Sequence, residues 1–242
     1  MDRILDYMVF DKKVDKIDLE SVRIINTINP HSYCVSKKDK KFEMALKKSD
    51  VLLPDGIGIV YASKVLNGKR IQKIAGFDIF EFVMHTLNNQ SGSCYFLGAS
   101  DKTLNLIKER AKKDFPNVKV GSFSPPFKPL FSEDDNAIII GKINDFRPDA
   151  LFVGMTAPKQ EKWVYENEEQ LNASIICSIG AVFDFYAGTV KRSSPIWIKL
   201  GLEWLPRLLQ NPKRLWRRNL ISTPMFVLEV CSYKLFGRGF IR

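Results

Sequence analysis

The stretch CYFLGASDKTLNLIKERAKKDFPNVKVGSF, residues 94–123, decides the fold. It opens on a short apolar run, Cys94–Leu97, turns at Gly98-Ala99-Ser100, and continues as an amphipathic stretch over Lys102–Asp114. A second strand-like run follows at Val118–Phe123. Strand, helix, strand in that order is the unit of a parallel sheet, joined by a right-handed crossover. Working outward, further strands are expected at Val22–Ile28, Val51–Leu53, Ala150–Val153 and Ser174–Ile179. Helices are expected at Lys37–Lys48, Ile57–Leu66, Ile79–Asn88, Glu133–Asp145 and Lys159–Gln170. Ser36 and Ser100 suit helix N-caps, and Ser132 with Asp135 resembles a capping box.

The expected fold class is therefore α/β: a Rossmann-like, mostly parallel sheet flanked by helices, with a short, basic, helical appendage at the C-terminus. In such sheets ligands bind beyond the carboxyl ends of the strands. Chemistry is sought in the loops 27–36, 54–58, 98–101, 124–131, 154–160 and 180–193. A chain of 242 residues, 45% hydrophobic, can bury one substantial core. Residues 1–190 read as the α/β domain and 191–242 as the appendage.

The charge is uneven. Residues 191–242 carry eleven Lys and Arg against Glu203 and Glu229, a net of +9 out of the chain's +10. A near-neutral body with a basic tail suits a polyanionic partner: anionic lipid, nucleic acid or a diphosphate. A solvated basic helix without a partner has the same composition. The tail also holds Trp197, Trp204 and Trp216, and Pro206, Pro212 and Pro224 divide it. Its last segment, Pro224–Phe236, is too short to span a bilayer but suits an interfacial helix, with Arg214, Arg217 and Arg218 nearby for anionic head groups. Packing on the domain or on a second subunit is the competing reading.

Several classes lose support. Cys34, Cys94, Cys177 and Cys231 are scattered among apolar neighbours, and with only His31 and His85 beside them they read as buried thiols, not a zinc site. The N-terminus does not read as a signal peptide, and no apolar run is long enough to cross a membrane. There is no Walker A run, no DxD triplet for a donor-bound metal and no GxGxxG fingerprint. No cofactor or metal is expected. A dehydrogenase or methyltransferase would want the glycine fingerprint; a nucleic-acid binder using the Trp/Arg-rich tail is the other alternative.

Three segments could carry chemistry. Asp55, in Leu-Pro-Asp-Gly-Ile-Gly, follows a strand and precedes a helix, where a carboxylate acts as a general base, holds a sugar hydroxyl, or simply caps a turn. Thr27 and Asn29 end the first strand; they suit sugar or nucleotide hydroxyls, or an Asx-type turn. Residues 154–161, with Lys159 and Gln160, form either an anion and sugar cradle or an ordinary strand–helix loop.

Together the segments TINP (27–30), SDVLLPDGIGIVYASKVL (49–66), IAGFDIF (74–80), FLGAS (96–100), PDALFVGMTAPKQEKWV (148–164), SIGAVFDFYAGTVKRSSPIW (178–197) and GLEWLPRLLQNPKRLWRR (201–218) resemble the WecG/TagA/CpsF glycosyltransferase family, in order and over nearly the whole chain from about residue 20. The resemblance implies an inverting, metal-independent transfer of an N-acetylmannosamine-type sugar from a UDP-sugar donor to a polyprenyl-diphosphate-linked N-acetylglucosamine, feeding cell-surface polysaccharide or teichoic acid. It implies Asp55 as general base, Thr27, Asn29 and Gln160 as sugar- or nucleotide-contacting groups, and Arg214, Arg217 and Arg218 as the charge that meets the leaving diphosphate. Lys73 stands where family members often have arginine, keeping the charge but losing the bidentate fork. The expected partners are thus donor, lipid-linked acceptor and an anionic membrane surface, without nucleic acid. The expected location is cytoplasmic, at the inner face of the membrane. Homo-oligomerisation stays open.

Overall fold

The structure is a computed structural model. It describes residues 1–190, 194, 196–197 and 204–241, apart from the side chains of Arg207, Gln210 and Arg214. A two-stranded antiparallel hairpin, β1 (Asp2–Ile4) and β2 (Tyr7–Val9), precedes six strands: β3 (Ile24–Ile28), β4 (Val51–Pro54), β5 (Ser93–Gly98), β6 (Lys119–Phe123), β7 (Ala150–Gly154) and β8 (Ile175–Ser178). These six pair in parallel in the order β4-β3-β8-β7-β5-β6. The helices are α1 (Pro30–Ser36), α2 (Lys40–Lys47), α3 (Ile57–Asn67), α4 (Gly76–Gln90), α5 (Asp101–Asp114), α6 (Glu133–Phe146), α7 (Lys159–Asn167) and α8 (Val182–Tyr186). After them come α9 (Trp204–Gln210), α10 (Pro212–Trp216), a π-helical turn over Arg217–Ser222 and α11 (Thr223–Phe236). The α/β, mostly parallel architecture expected from the sequence is the one observed.

Successive strand residues point to opposite faces, and helices cover both faces, so both sets are apolar. Phe96 and Phe152 stack at 5.3 Å and join Phe80 and Met84 of α4 and Leu104 and Ile107 of α5. On the other face Leu97, Leu151 and Val153 meet Ile139 and Ile143 of α6 and Trp163 of α7. The hairpin, α1, α2, α3 and α11 enclose a third cluster around Tyr33, Phe42 and Phe226. Phe10, just after the hairpin, donates its N–H to the carbonyl of Leu52 at 2.9 Å, which attaches this region to the open edge of β4.

Chain connections reverse between β5, which leads outward to β6, and β7, which leads the other way to β8. Gly98 and Gly154 face each other at the carboxyl ends of these two strands. Gly98 has φ +110°, and a Cβ there would lie 2.8 Å from the Gly154 carbonyl oxygen. Glycine is thus required both by the backbone angle and by the approach.

Three expectations need correction. The hairpin was not foreseen, its strands being only three residues long. The helix expected over Lys37–Lys48 is two: α1 ends at Ser36, and Asp39 caps α2 by accepting from the N–H of Phe42 at 3.1 Å. Ser36 does not cap because it is the last residue of α1, its hydroxyl donating to Tyr33 O and accepting from Tyr7, each at 2.7 Å. The helix expected to reach Gln170 ends at Asn167 and continues as a 3-10 turn. By contrast Ser100 caps α5, and the Ser132–Asp135 capping box opens α6. Cys34, Cys94 and Cys177 are buried thiols, Cys231 is half-buried, and burial pushes the Cys177 thiol up to about 12.

The last segment packs on the body. Phe226 and Val230 are buried, Phe226 meeting Tyr33 edge-on at 5.2 Å. Burying one such aromatic contributes about 1.5–3 kcal/mol. Leu228, Leu235 and Phe236 face outward. One face of α11 therefore belongs to the core while the other is an exposed apolar surface. Among the described residues no helix is long and apolar enough to cross a membrane.

Candidate active site

The carboxyl ends of β3, β4, β7 and β8 collect the residues singled out by the sequence. Asp55 directly follows β4, half-buried, with its N–H donating to the carbonyl of Ile28 at 2.9 Å. Gly56 has φ +95°, which lets the chain turn at once into α3. Gly58 lies against α1: a Cβ there would be 2.5 Å from Cγ of Pro30. The first turns of α1 and α3 are thus pressed together beside Asp55, and the aligned peptide dipoles of the two helices make the neighbourhood positive.

Thr27 and Asn29 sit beside it on the end of β3, both half-buried. Asn29 Oδ1 caps α1, accepting from the N–H groups of His31 and Ser32 at 3.1 Å each, while the N–H of Asn29 donates to Ser32 Oγ at 2.7 Å. The oxygen is committed to the helix, so a sugar contact from Asn29 falls to its amide nitrogen. The segment before α4 reaches the same place. Ile74 donates its N–H to Pro54 O at 3.0 Å, which sets the half-buried Lys73 close to the end of β4. Asp78 Oδ2 accepts from the N–H of Ala75 at 2.8 Å, fixing the start of α4, and Gly76 packs against Ile179 and Val182 just beyond β8.

Gln160 lies deeper. It is buried at the start of α7, with Nε2 donating to Glu161 Oε1 at 2.9 Å and Oε1 beneath the Gly180 turn. Lys159 turns away towards the 124–131 loop, donating to Lys128 O at 2.5 Å and lying 3.7 Å over the Phe131 ring. Of the two residues on this turn, Gln160 therefore lies under the end of β8 and Lys159 against the 124–131 loop.

The tail arginine Arg218 reaches the head of α1. It is half-buried in the π-helical turn, close enough to His31 at the head of α1 to help lower that imidazole's pKa, burial being the larger cause. His31 Nδ1 and Ser222 Oγ are 2.9 Å apart and hold the turn against α1. Arg217 is exposed, its guanidinium over Trp216 at 5.3 Å. The Arg214 side chain lies outside the described residues. Neither His31 nor Asp78 was singled out by the sequence. Asp78 fell inside the matched segment IAGFDIF but was read there only as part of the resemblance. His31 had no such signal, because its partner is at the far end of the chain.

An open recess of about 520 Å³, lined by Arg23, Gln170, Asn172 and Ser174, lies at the amino ends of β3 and β8, on the opposite edge of the sheet. Arg23 is occupied there in structure, donating to the carbonyls of Glu168 and Leu171 at 2.7 Å. Among the described residues no three His, Cys, Asp or Glu side chains gather as metal ligands.

A carboxylate at a strand end and cations from two other segments, gathered at the carboxyl edge of a parallel sheet, suit a transfer with an anionic leaving group. The comparison with known families decides the class. The model of the glycosyl transferase WecG/TagA/CpsF family matches residues 6–239. The chain belongs to this family. Among WecG/TagA/CpsF relatives it is similar to the Bacillus spizizenii N-acetylglucosaminyldiphosphoundecaprenol N-acetyl-beta-D-mannosaminyltransferase, 32% identical over 219 residues, covering 90% of this chain and 82% of the relative. The Bacillus subtilis protein of the same name is 30% identical over 214 residues, 88% and 81% of the two chains. The Staphylococcus aureus (strain MW2) protein of that name is 27% identical over 210 residues, 87% and 80%. The match spans the sheet, the candidate site and the appendage together.

Proposed function

We propose that this WecG/TagA/CpsF glycosyltransferase moves an N-acetylmannosamine-type sugar from a UDP-sugar to an N-acetylglucosamine carried on a polyprenyl diphosphate, with inversion and without a metal. The acceptor class follows the names of the relatives, each an N-acetylglucosaminyldiphosphoundecaprenol mannosaminyltransferase. The observation that carries the reading is the half-buried Asp55 at the end of β4, with Thr27, Asn29 and Lys73 beside it and Arg218 across α1.

In the proposed step the acceptor hydroxyl oxygen attacks the anomeric carbon from the face opposite the diphosphate. Its proton goes to the Asp55 carboxylate, and the C–O bond to the diphosphate breaks with its electron pair on the departing UDP. General base catalysis of this kind contributes roughly 10²- to 10⁴-fold. The charge developing on UDP needs cations in place before reaction. Lys73 and Arg218 are the candidates for that role, with Arg217 and Arg214 on the same tail. Thr27, the Asn29 amide and Gln160 would orient the sugar or the nucleotide.

A lipid-linked acceptor requires work at a membrane surface, here the cytoplasmic face. The tail's basic residues and the outward Trp216, Leu220, Ile221 and Leu228 suit that setting.

The deciding experiment is a panel of UDP-sugars offered with a short-chain polyprenyl-diphosphate N-acetylglucosamine, the product read by mass spectrometry and its anomeric configuration by NMR. Transfer of N-acetylmannosamine with inversion, unaffected by EDTA, is expected. A retained anomeric configuration, or loss of turnover with EDTA, rejects the mechanism. Removal of residues from Lys191 onward should release the protein from anionic vesicles, and unchanged binding rejects the membrane role.

A further inference from the structure

Between the sheet and α7 the protein buries a string of polar groups. Asn26, in the middle of β3, is 1% exposed; its amide nitrogen donates to Ser49 Oγ at 2.9 Å, and Ser49 Oγ donates to Ala45 O at 3.2 Å. Glu161 on α7 is 3% exposed, and its Oε1 accepts from Gln160. Asn26 Oδ1, Glu161 Oε2 and Gln160 Oε1 have no hydrogen-bond partner among the described residues.

Asn26 and Glu161 line one small void with no room for water. Two unpaired acceptors around a dry void are unfavourable, because neither can donate to the other. One proton removes the conflict. With hydrogen on Glu161 Oε2 the carboxyl becomes a donor, and Asn26, on the lining of the same void, offers the unpaired acceptor Oδ1. The charged and titratable neighbours offer no substitute. Lys48, which lines the void, is ion-paired with Glu168 and lies 5.5 Å from the Tyr165 ring centre, and Tyr165 and Glu168 complete the polar lining. Burial raises the Glu161 carboxyl to about 7.

We propose that Glu161 in its neutral form is a positioning residue that joins Asn26 of β3 to Gln160 of α7. Thr27 follows Asn26 on the same strand and Asn29 lies just past its end, while Gln160 Oε1 lies close under the Gly180 turn, where an added Cβ would be 3.0 Å from it. One neutral carboxyl thereby fixes, relative to each other, the strand that carries Thr27 and the start of α7 that carries Gln160. Its effect on turnover rests on the transferase reading above; its effect on the fold does not.

Glu161→Gln is the discriminating variant, since the amide copies the neutral acid: its nitrogen donates towards Asn26 and its oxygen accepts from Gln160. Glu161→Gln should keep the wild-type KM for the donor, whereas Glu161→Leu should raise KM about tenfold with a smaller change in kcat. Thermal unfolding supplies a readout independent of activity. The folded carboxyl holds its proton to higher pH than the unfolded one, so its contribution is complete below the ordinary carboxyl range and is lost as pH rises to about 7. The wild-type Tm should therefore fall relative to that of Glu161→Gln across this interval. Parallel pH profiles, or a Glu161→Leu protein with wild-type KM, overturn the proposal. If no form of the protein transfers sugar but the two pH profiles diverge as stated, the brace stands and only the transferase reading falls.

Discussion

The N–H of Asp55 donates to the carbonyl of Ile28 across 2.9 Å, so the candidate base is tied by its own backbone to the neighbouring strand. The start of the Asp55 side chain is therefore set by the sheet and by the turn at Gly56. Asp55→Asn preserves shape and this backbone bond while removing the basic oxygen. Transfer should fall by roughly 10²- to 10⁴-fold, with Tm and UDP affinity close to wild type. Turnover near wild type would take Asp55 out of the mechanism.

Gly58 gives a purely steric test of the same corner. Adding a methyl group places it against the Pro30 ring, which has little freedom to yield. Overpacking of this kind typically costs about 1–3 kcal/mol, and in a chain of this size each kcal/mol lowers Tm by roughly 2–4 °C. Gly58→Ala should show that loss in calorimetry together with reduced kcat, because α3 carries Asp55 at its head. A variant as stable and active as wild type would mean that α1 and α3 are not held in this contact.

Arg218 can be located without an activity assay. Its charge contributes, after burial, to lowering the His31 pKa. Removing a nearby cation favours the imidazolium, so Arg218→Ala should raise the His31 pKa, read by NMR titration, without bringing it fully back to the ordinary value. An unmoved titration would place the guanidinium elsewhere. The same variant should slow transfer more than Arg218→Lys does.

Glu229 tests the attachment of the tail. It is buried and accepts from Tyr33 Oη at 3.2 Å, Phe240 N at 2.7 Å and Ile241 N at 3.0 Å. Glu229→Ala leaves these donors unmatched, at about 1–3 kcal/mol for each that water cannot reach. Limited proteolysis should then cut the C-terminal segment while the sheet domain survives. A tail as resistant as wild type would show that Phe226 and Val230 suffice to hold α11.

The sheet was legible because its strands are apolar on both faces and are separated by amphipathic helices; Cys94–Leu97 and Ala150–Val153 could hardly be read otherwise. Short elements that depend on contacts remote in sequence were not. α1 is only seven residues and opens on Pro30-His31-Ser32, so no helical period appears, and its cap, Asn29, was equally readable as a sugar ligand. The N-terminal hairpin turns at Leu5 with φ +53°, a conformation that nothing in the local composition announces. At the site, strand-end position made Asp55 a candidate, but only the family resemblance raised it above a turn residue. Gln160 was noticed without its depth, and the approach of Arg218 to His31 joins the two ends of the chain, which no local pattern encodes.

Gly98 is buried against the Gly154 carbonyl, and Gly154 lies under the buried Phe183 ring, so neither strand end has room for a side chain of its own. A position that admits only hydrogen cannot readily be retuned by substitution. Changes that spare the packing of β5, β7 and Phe183 must then fall in the connecting segments, such as 124–131, which can lengthen, shorten or change composition. Redesign of this enzyme should accordingly graft loops and leave the two glycines untouched.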